Sequence, residues 1–214
     1  MIQVHHLEQS RSTRILWLLE EMKLPYEVIL YHREPTYEAP PSLKKIHPLG
    51  KSPVITDGEL TIAESGAIIE YIVDTYDRDK HFRPKDGQAR LDYQFWLHFA
   101  EGTLMPLLLM QLVLGKAESA PMPFFVRPIA RRLVGKINEL FILPRLKLQF
   151  EFIESTLHQK QWLAGNAFSS ADIQMGTSLL FARQRCDLTL YPYLCQYLER
   201  LEQRPAYQKV KLEG

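Results

Sequence analysis

Two serine hydroxyls stand in a short polar segment between the first predicted strand and the first predicted helix. The segment reads Ser10-Arg11-Ser12-Thr13-Arg14. Because the first turn of a helix has unpaired backbone N–H groups, this end of the helix favours an anion. A serine O–H placed there can donate a hydrogen bond to a thiolate and stabilise it. The alternative is a structural role, since serine before a helix commonly caps it.

A second candidate segment spans residues 47–54, HPLGKSPV, and leads into a predicted strand. Proline donates no hydrogen bond to a sheet, so Pro53 belongs at the start of that strand. A cis peptide bond before Pro53 would free the backbone of Ser52 for a peptide-like ligand. A trans proline that ends a loop is the commoner arrangement, and the sequence leaves both open.

A third candidate lies where Glu64 and Ser65 open a predicted helix. The helix N–H groups and the Ser65 hydroxyl can hold a carboxylate, and the Glu64 carboxylate can hold an ammonium group. The pair is therefore able to bind an amino-acid-like group. A second helix cap is the structural alternative.

The histidines and cysteines are placed unfavourably for metal or disulfide chemistry. His5 and His6 are neighbours on a predicted strand, where successive side chains point to opposite faces, so we expect no two-histidine metal site. Cys186 and Cys195 are the chain's two cysteines. Their spacing fits neither a CxxC pair nor a disulfide framework. We expect two reduced thiols and no metal.

The three candidate segments fall within an alternation of short strands and helices over the first 80 residues. Apolar residues at helical spacing predict helices over 12–22 and 65–76. Strands are predicted over 2–5 and 26–30, followed by a hairpin that turns at Asp57-Gly58. The order β-α-β-loop-β-β-α indicates an α/β fold.

The rest of the chain is predicted to be nearly all helical. A charged stretch over 77–87 is the expected linker, and long helices are predicted over 86–114, with a kink at Pro106, and over 137–157.

Between these two helices, residues 115–135 carry three prolines and a cluster of arginines, so we expect an extended, solvated connection with one short helix at most. Ser169 and Asp172 have the spacing of a capping box, which predicts a helix from there to about Gln184.

Charge and hydropathy exclude several classes of protein. Lysine and arginine number 26 against 25 acidic residues, and this balance gives no sign of nucleic-acid binding. Residues 1–6 lack the pattern of a secretory signal. The most apolar run, residues 104–114, is shorter than the ~20 residues that cross a membrane. We therefore expect a cytoplasmic protein without a membrane span.

Four motifs in order carry a resemblance to a known family. They are SRSTR at 10–14, HPLGKSPVI at 47–55, DGELTIAES at 57–65 and SSADI at 169–173. With these motifs the chain resembles the cytosolic glutathione S-transferases, and SRSTRILWLLEE at 10–21 is similar to the serine-type fungal and bacterial branch. The resemblance implies an α/β thioredoxin-like amino-terminal domain over 1–80 and an all-α domain over 87–214.

The resemblance also implies roles for individual residues. Ser10 matches the serine that stabilises the glutathione thiolate, with Ser12 as its competitor. Lys51 would face the glycine carboxylate of glutathione, and Pro53 matches the family's cis-proline, which presents the Ser52 backbone to the cysteinyl part. Glu64 and Ser65 would hold the γ-glutamyl end.

Two positions depart from the family's pattern. His5 and His6 stand near the end of the first strand, where many members carry a tyrosine. Arg11 occupies the place of a cysteine found in some bacterial classes. The absence of a cysteine beside Ser10 disfavours a glutathione-disulfide oxidoreductase.

The expected function is a homodimeric detoxification enzyme. It would conjugate glutathione, its co-substrate, to a small hydrophobic electrophile without a metal, and it could also act as a glutathione-dependent peroxidase. The alternative is a non-catalytic module on the same fold that binds glutathione or another ligand, or docks a partner protein.

Overall fold

The computed structural model describes residues 1–36 and 38–213. Its amino-terminal part is built on a four-stranded mixed sheet in the order β2-β1-β3-β4. The strands are β1 (Ile2–Leu7), β2 (Tyr26–Tyr31), β3 (Val54–Asp57) and β4 (Leu60–Ala63). β1 pairs in parallel with β2, whereas β3 runs antiparallel to both β1 and β4.

Two helices complete this thioredoxin-like unit. Helix α1 (Thr13–Glu21) connects the parallel strands β1 and β2, and helix α2 (Ser65–Tyr76) follows β4. Both bury apolar residues at helical spacing, including Ile15 and Leu19 of α1 and Ile68 of α2. The α/β prediction for this half is therefore confirmed, and the predicted bounds of α2 match the structure.

The hairpin turns one residue later than predicted. Asp57 is the last residue of β3 and pairs with Leu60, so Gly58 and Glu59 form the turn. Gly58 has a φ of 59°, which glycine adopts without steric cost, and the non-glycine residues with positive φ do not include Glu59. This pattern fits a turn with glycine at its first central position rather than its second.

The carboxyl-terminal part is helical. Its α-helices are α3 (Gly87–Phe99), α4 (Met105–Ser119), α5 (Arg127–Ile137), α6 (Leu143–Gln159), α7 (Ser170–Arg183), α8 (Pro192–Glu202) and α9 (Pro205–Glu213). The capping box at Ser169 and Asp172 is present and starts α7, as predicted.

Short π-helical segments join α3 to α4 and α5 to α6. They span Ala100–Leu104 and Asn138–Ile142, and each lies directly before a helix that has proline in its first turn, Pro106 or Pro144. Proline lacks the N–H that an α-helix needs and clashes with the preceding turn. A wider turn accommodates the proline while the helix continues.

The expectation of an extended connection over 115–135 was wrong. Helix α4 continues to Ser119 and α5 begins at Arg127, so residues 120–126 alone connect them. Two of the three prolines lie in that connection. Pro128 lies in the first turn of α5, where its missing N–H breaks no helical hydrogen bond.

The helix that contains the apolar run is much longer than the run itself. Within the described ranges, Gly87–Ser119 is the helix that is long and apolar enough to cross a membrane, by length and composition alone, with a hydropathy of 1.5. Core helices of soluble proteins share these properties. Tyr93, Trp96, Leu104 and Leu108 on this helix are buried in the hydrophobic core, so one face of the helix packs into the core.

Candidate functional site

Three serine hydroxyls meet at the end of β1. Ser10 Oγ lies 2.7 Å from Ser12 Oγ, and it donates to Ser52 Oγ at 3.3 Å. The Ser52–Pro53 peptide bond is cis, and Pro53 is buried at the start of β3. The structure thus brings the first two candidate segments together, although 42 residues separate Ser10 from Ser52.

Ser12 stands at the N-cap of α1 but does not cap it. It is 0% exposed and its side chain makes no capping hydrogen bond. Its hydroxyl instead lies 2.8 Å from Nδ1 of His6. Ser10 is half-buried, so it is more exposed to solvent than Ser12. The capping alternative is therefore wrong for Ser12, and Ser10 is the more exposed member of the pair.

Glu64 and Ser65 form the start of α2 in an unusual backbone conformation. Glu64 has a φ of 73°, a value that side-chain-bearing residues adopt at a steric cost. Such strained residues cluster at ligand-binding positions. The Glu64 side chain is exposed, and Ser65 is buried as the first residue of the helix. The structure gives neither residue a side-chain cap.

A cavity of about 510 Å³ lies beside this helix start, between the sheet domain and the helices. Glu64 and Gly66 line one side of it. The other sides are formed by Gln94, Leu97, His98, Glu101, Gly102 and Gln174. A volume of this size is within the range of small-molecule sites.

A buried arginine contacts two of the residues that line this cavity. Arg14 is 2% exposed, pairs with the carboxylate of Glu101, and donates to Oε1 of Gln174 at 2.9 Å. Arg11 also pairs with Glu101, at 3.0 Å. Burial lowers the pKa of Arg14, and the Glu101 carboxylate opposes this effect, so the guanidinium remains charged.

Sequence reasoning missed this arrangement. The available signal was a single arginine, Arg14, directly before the apolar face of α1, and a single carboxylate, Glu101, beside the apolar run of residues 104–114. A charged residue at each of these places needs a partner if it is buried. No local pattern identifies that partner 87 residues away.

The other residues singled out in the sequence are a lysine and the two cysteines. Lys51 is exposed directly before Ser52. Cys186 and Cys195 are free thiols, as predicted, and burial raises the pKa of both. Over residues 1–36 and 38–213, no group of three or more histidines, cysteines or carboxylates is placed to hold a metal ion.

Comparison with protein families gives matches to both halves of the chain. The model of the glutathione S-transferase amino-terminal domain matches residues 1–74, and that of the carboxyl-terminal domain matches residues 124–205. This chain belongs to the glutathione S-transferase family. Both the resemblance drawn from the four motifs and the predicted fold are thereby confirmed.

Curated relatives agree over nearly the whole chain. Glutathione S-transferase 3 of Schizosaccharomyces pombe is 39% identical over 96% of this chain and 85% of its own length. Glutathione S-transferase 1 of Saccharomyces cerevisiae is 33% identical over 99% and 94%. These relatives support glutathione S-transferase activity for the present enzyme. The family also includes the disulfide-bond oxidoreductase YfcG of Escherichia coli, 27% identical over 100% and 96%.

Solved structures show the same fold. A glutathione S-transferase from Actinobacillus pleuropneumoniae is 34% identical with a TM-score of 0.79, covering all of this chain and 92% of that one. The glutathione transferase URE2P8 of Phanerochaete chrysosporium, solved with oxidized glutathione, has a TM-score of 0.80 at 20% identity, covering 99% of this chain and 94% of that one.

Proposed function

We propose that this transferase activates the thiol of glutathione with the Ser10 hydroxyl and transfers the thiolate to a small hydrophobic electrophile. The observation that carries the proposal is the placement of Ser10. Its hydroxyl lies at the amino-terminal end of α1 and 3.3 Å from Ser52, the residue before cis-Pro53. The same thiolate could reduce a peroxide, and the two free cysteines agree with a cytoplasmic location.

The energetic demand on Ser10 is modest. A free thiol of this kind has a pKa of about 8.5, so a small fraction is thiolate at neutral pH. Lowering that pKa by about 2 units requires about 2.7 kcal/mol of preferential stabilisation. A hydrogen bond to a charged group contributes ~1.5–3 kcal/mol, and the end of a helix adds ~0.3–1 kcal/mol. The two together meet the demand without a metal.

The other predicted residues fit the two charged ends of glutathione. We assign the γ-glutamyl group to Glu64 and Ser65, because the strained helix start offers a carboxylate for its ammonium group and a helix end for its carboxylate. Lys51 is exposed and free to approach the glycine carboxylate. The backbone of Ser52 would pair with the cysteinyl part.

Residues 1–80 then serve as the glutathione-binding domain and residues 87–214 as the wall of the electrophile pocket. Holding both reactants in one cleft converts the reaction into an effectively intramolecular step, which adds to the rate. A non-catalytic module on this fold would bind glutathione without lowering the pKa of its thiol, and this difference is measurable.

The decisive experiment is a pH titration of the ultraviolet thiolate band of glutathione with the protein present. We expect the wild type to lower the thiol pKa well below ~8.5 and Ser10→Ala to return it by about 2 units, with a smaller change in glutathione affinity. Lys85→Ala, at an exposed position of the linker, is the control. Binding without any pKa shift in the wild type would contradict thiol activation, and no binding would favour a docking module.

We also propose that the enzyme is a homodimer. The long helices α3, α4 and α6 expose large apolar side chains, of which Phe95 and Phe152 contact each other, and exposed apolar surface of this kind marks protein interfaces. These side chains are Leu91, Phe95, Leu109, Met110, Val113 and Phe152. Light scattering should give twice the chain mass of 25.0 kDa, and Val113→Lys should shift the protein toward monomer. A monomer at working concentration in the wild type would contradict the proposal.

A further inference from the structure

The three groups His6, Ser12 and Ser10 form a continuous hydrogen-bonded chain from the protein interior to the Ser10 hydroxyl. Nδ1 of His6 lies 2.8 Å from Ser12 Oγ, which lies 2.7 Å from Ser10 Oγ. His6 is 3% exposed and Ser12 is 0% exposed. The two inner groups therefore reach a ligand only through Ser10.

The direction of the hydrogen bonds decides what Ser10 offers to a ligand. With its proton on Nδ1, neutral His6 donates to Ser12, Ser12 donates to Ser10, and the Ser10 O–H points away from Ser12, toward Ser52 Oγ or a bound sulfur. With the proton on Nε2, Nδ1 accepts from Ser12 instead. Ser10 then donates inward to Ser12 and presents only lone pairs to the ligand.

We infer that His6 is a positioning residue, whose Nδ1–H aligns the hydroxyls of Ser12 and Ser10 so that Ser10 donates to the glutathione sulfur. This inference rests on the proposed role of Ser10. Burial lowers the pKa of His6, so its imidazole is neutral at pH 7 and a single tautomer sets the direction of the chain.

The surroundings of Ser12 support this direction. Ser12 occupies an N-cap position, yet it makes no capping hydrogen bond. Its hydroxyl lies 2.8 Å from His6 Nδ1 and 2.7 Å from Ser10 Oγ, and the backbone oxygen of Leu7, at 3.5 Å, is a much weaker acceptor.

The backbone N–H of Ser12 donates to Ser10 Oγ at 3.2 Å. Ser52 donates its own proton to the backbone oxygen of His5 at 3.2 Å and accepts from Ser10 at 3.3 Å. The Ser10 proton is therefore directed away from Ser12, and in the complex it would move from Ser52 to the glutathione sulfur. Aligned donors polarise one another, which strengthens the last hydrogen bond of the chain.

The test compares replacements of two neighbouring histidines by a residue that has an aromatic ring but no ring N–H. His6→Phe keeps the ring and removes Nδ1–H, and we expect it to raise the pKa of bound glutathione by about half a unit to one unit, the effect of one hydrogen bond. His6→Asn should restore the wild-type value, because an asparagine amide can place an N–H where Nδ1–H stood.

His5→Phe is the matched control. His5 is 2% exposed on the same strand, but its ring contacts Tyr31 at 3.0 Å and Thr56 at 3.4 Å. An equal rise of the thiol pKa in His5→Phe, or no recovery in His6→Asn, would show that packing rather than the donor matters and would overturn the inference.

A second measurement remains valid if His6→Phe does not fold. The ¹⁵N chemical shifts of His6 in the wild-type glutathione complex should report the Nδ1–H tautomer, and an Nε2–H tautomer would overturn the inference. Different results would contradict the proposed function and the inference about His6. If Ser10→Ala leaves the thiol pKa unchanged, the proposed function fails; if Ser10→Ala raises it and His6→Phe does not, only the role of His6 fails.

Discussion

Replacing Glu101 with leucine should lower the free energy of unfolding by about 3–5 kcal/mol. The cost arises at Arg14 rather than at Glu101 itself. The Arg14 side chain is 3% exposed and its charge is balanced by the Glu101 carboxylate. Without that carboxylate, a buried guanidinium keeps only the neutral acceptor Gln174. Urea denaturation followed by circular dichroism measures the loss.

Two further variants distinguish the cost of an unpaired buried charge from the cost of losing an ion-pair contact. The double variant Arg14→Met/Glu101→Leu removes both charges and should recover most of the stability, because burying an ion pair offers little advantage over apolar groups of similar size. Glu139→Leu breaks the exposed pair with Lys136 and should cost less than about 1 kcal/mol. Equal losses of unfolding free energy in Glu101→Leu and in the double variant would show that the unpaired Arg14 charge costs little and that lost contacts explain the effect.

The sequence predicted the helices whose buried face or first turn is marked by residues close together in the chain. The helix over 65–76 was predicted from its apolar residues at helical spacing, and the capping box at Ser169 and Asp172 sets the start of α7. The connection over 115–135 was mispredicted because its three prolines and its cluster of arginines were taken to indicate an extended, solvated segment. Pro128 instead lies in a first turn, where proline is tolerated, and Pro106 follows a π-helical turn.

The site was predictable to a smaller extent. The motifs named Ser10, Ser52 and Ser65, but the contact of Ser10 with Ser52 depends on the pairing of β1 with β3. Alternation along β1 correctly separated His5 from His6. It could not show that the face of His6 carries Ser12, because that contact is set by how the chain turns between β1 and α1.

The second large effect is expected at Asp172. Its carboxylate is buried and accepts hydrogen bonds from the backbone N–H groups of Leu163 and Ser169, both at 2.9 Å, and from the hydroxyl of Tyr197 at 3.1 Å. It thereby fixes the start of α7, the loop before it and helix α8. Asp172→Ala leaves two buried N–H groups without a partner, at ~1–3 kcal/mol each, so we expect a loss of about 3–5 kcal/mol in the free energy of unfolding.

Asp187 accepts the same kinds of hydrogen bonds as Asp172, but at the protein surface. Its carboxylate accepts from the backbone N–H of Thr189 at 3.0 Å and from the Thr189 hydroxyl at 2.6 Å, but it is exposed. In Asp187→Ala, water replaces the lost acceptor, so the loss should stay below about 1 kcal/mol. Urea denaturation of both variants gives the comparison. Similar losses of unfolding free energy in the two variants would mean that the number of hydrogen bonds to Asp172, rather than their burial, determines how strongly it stabilises the start of α7.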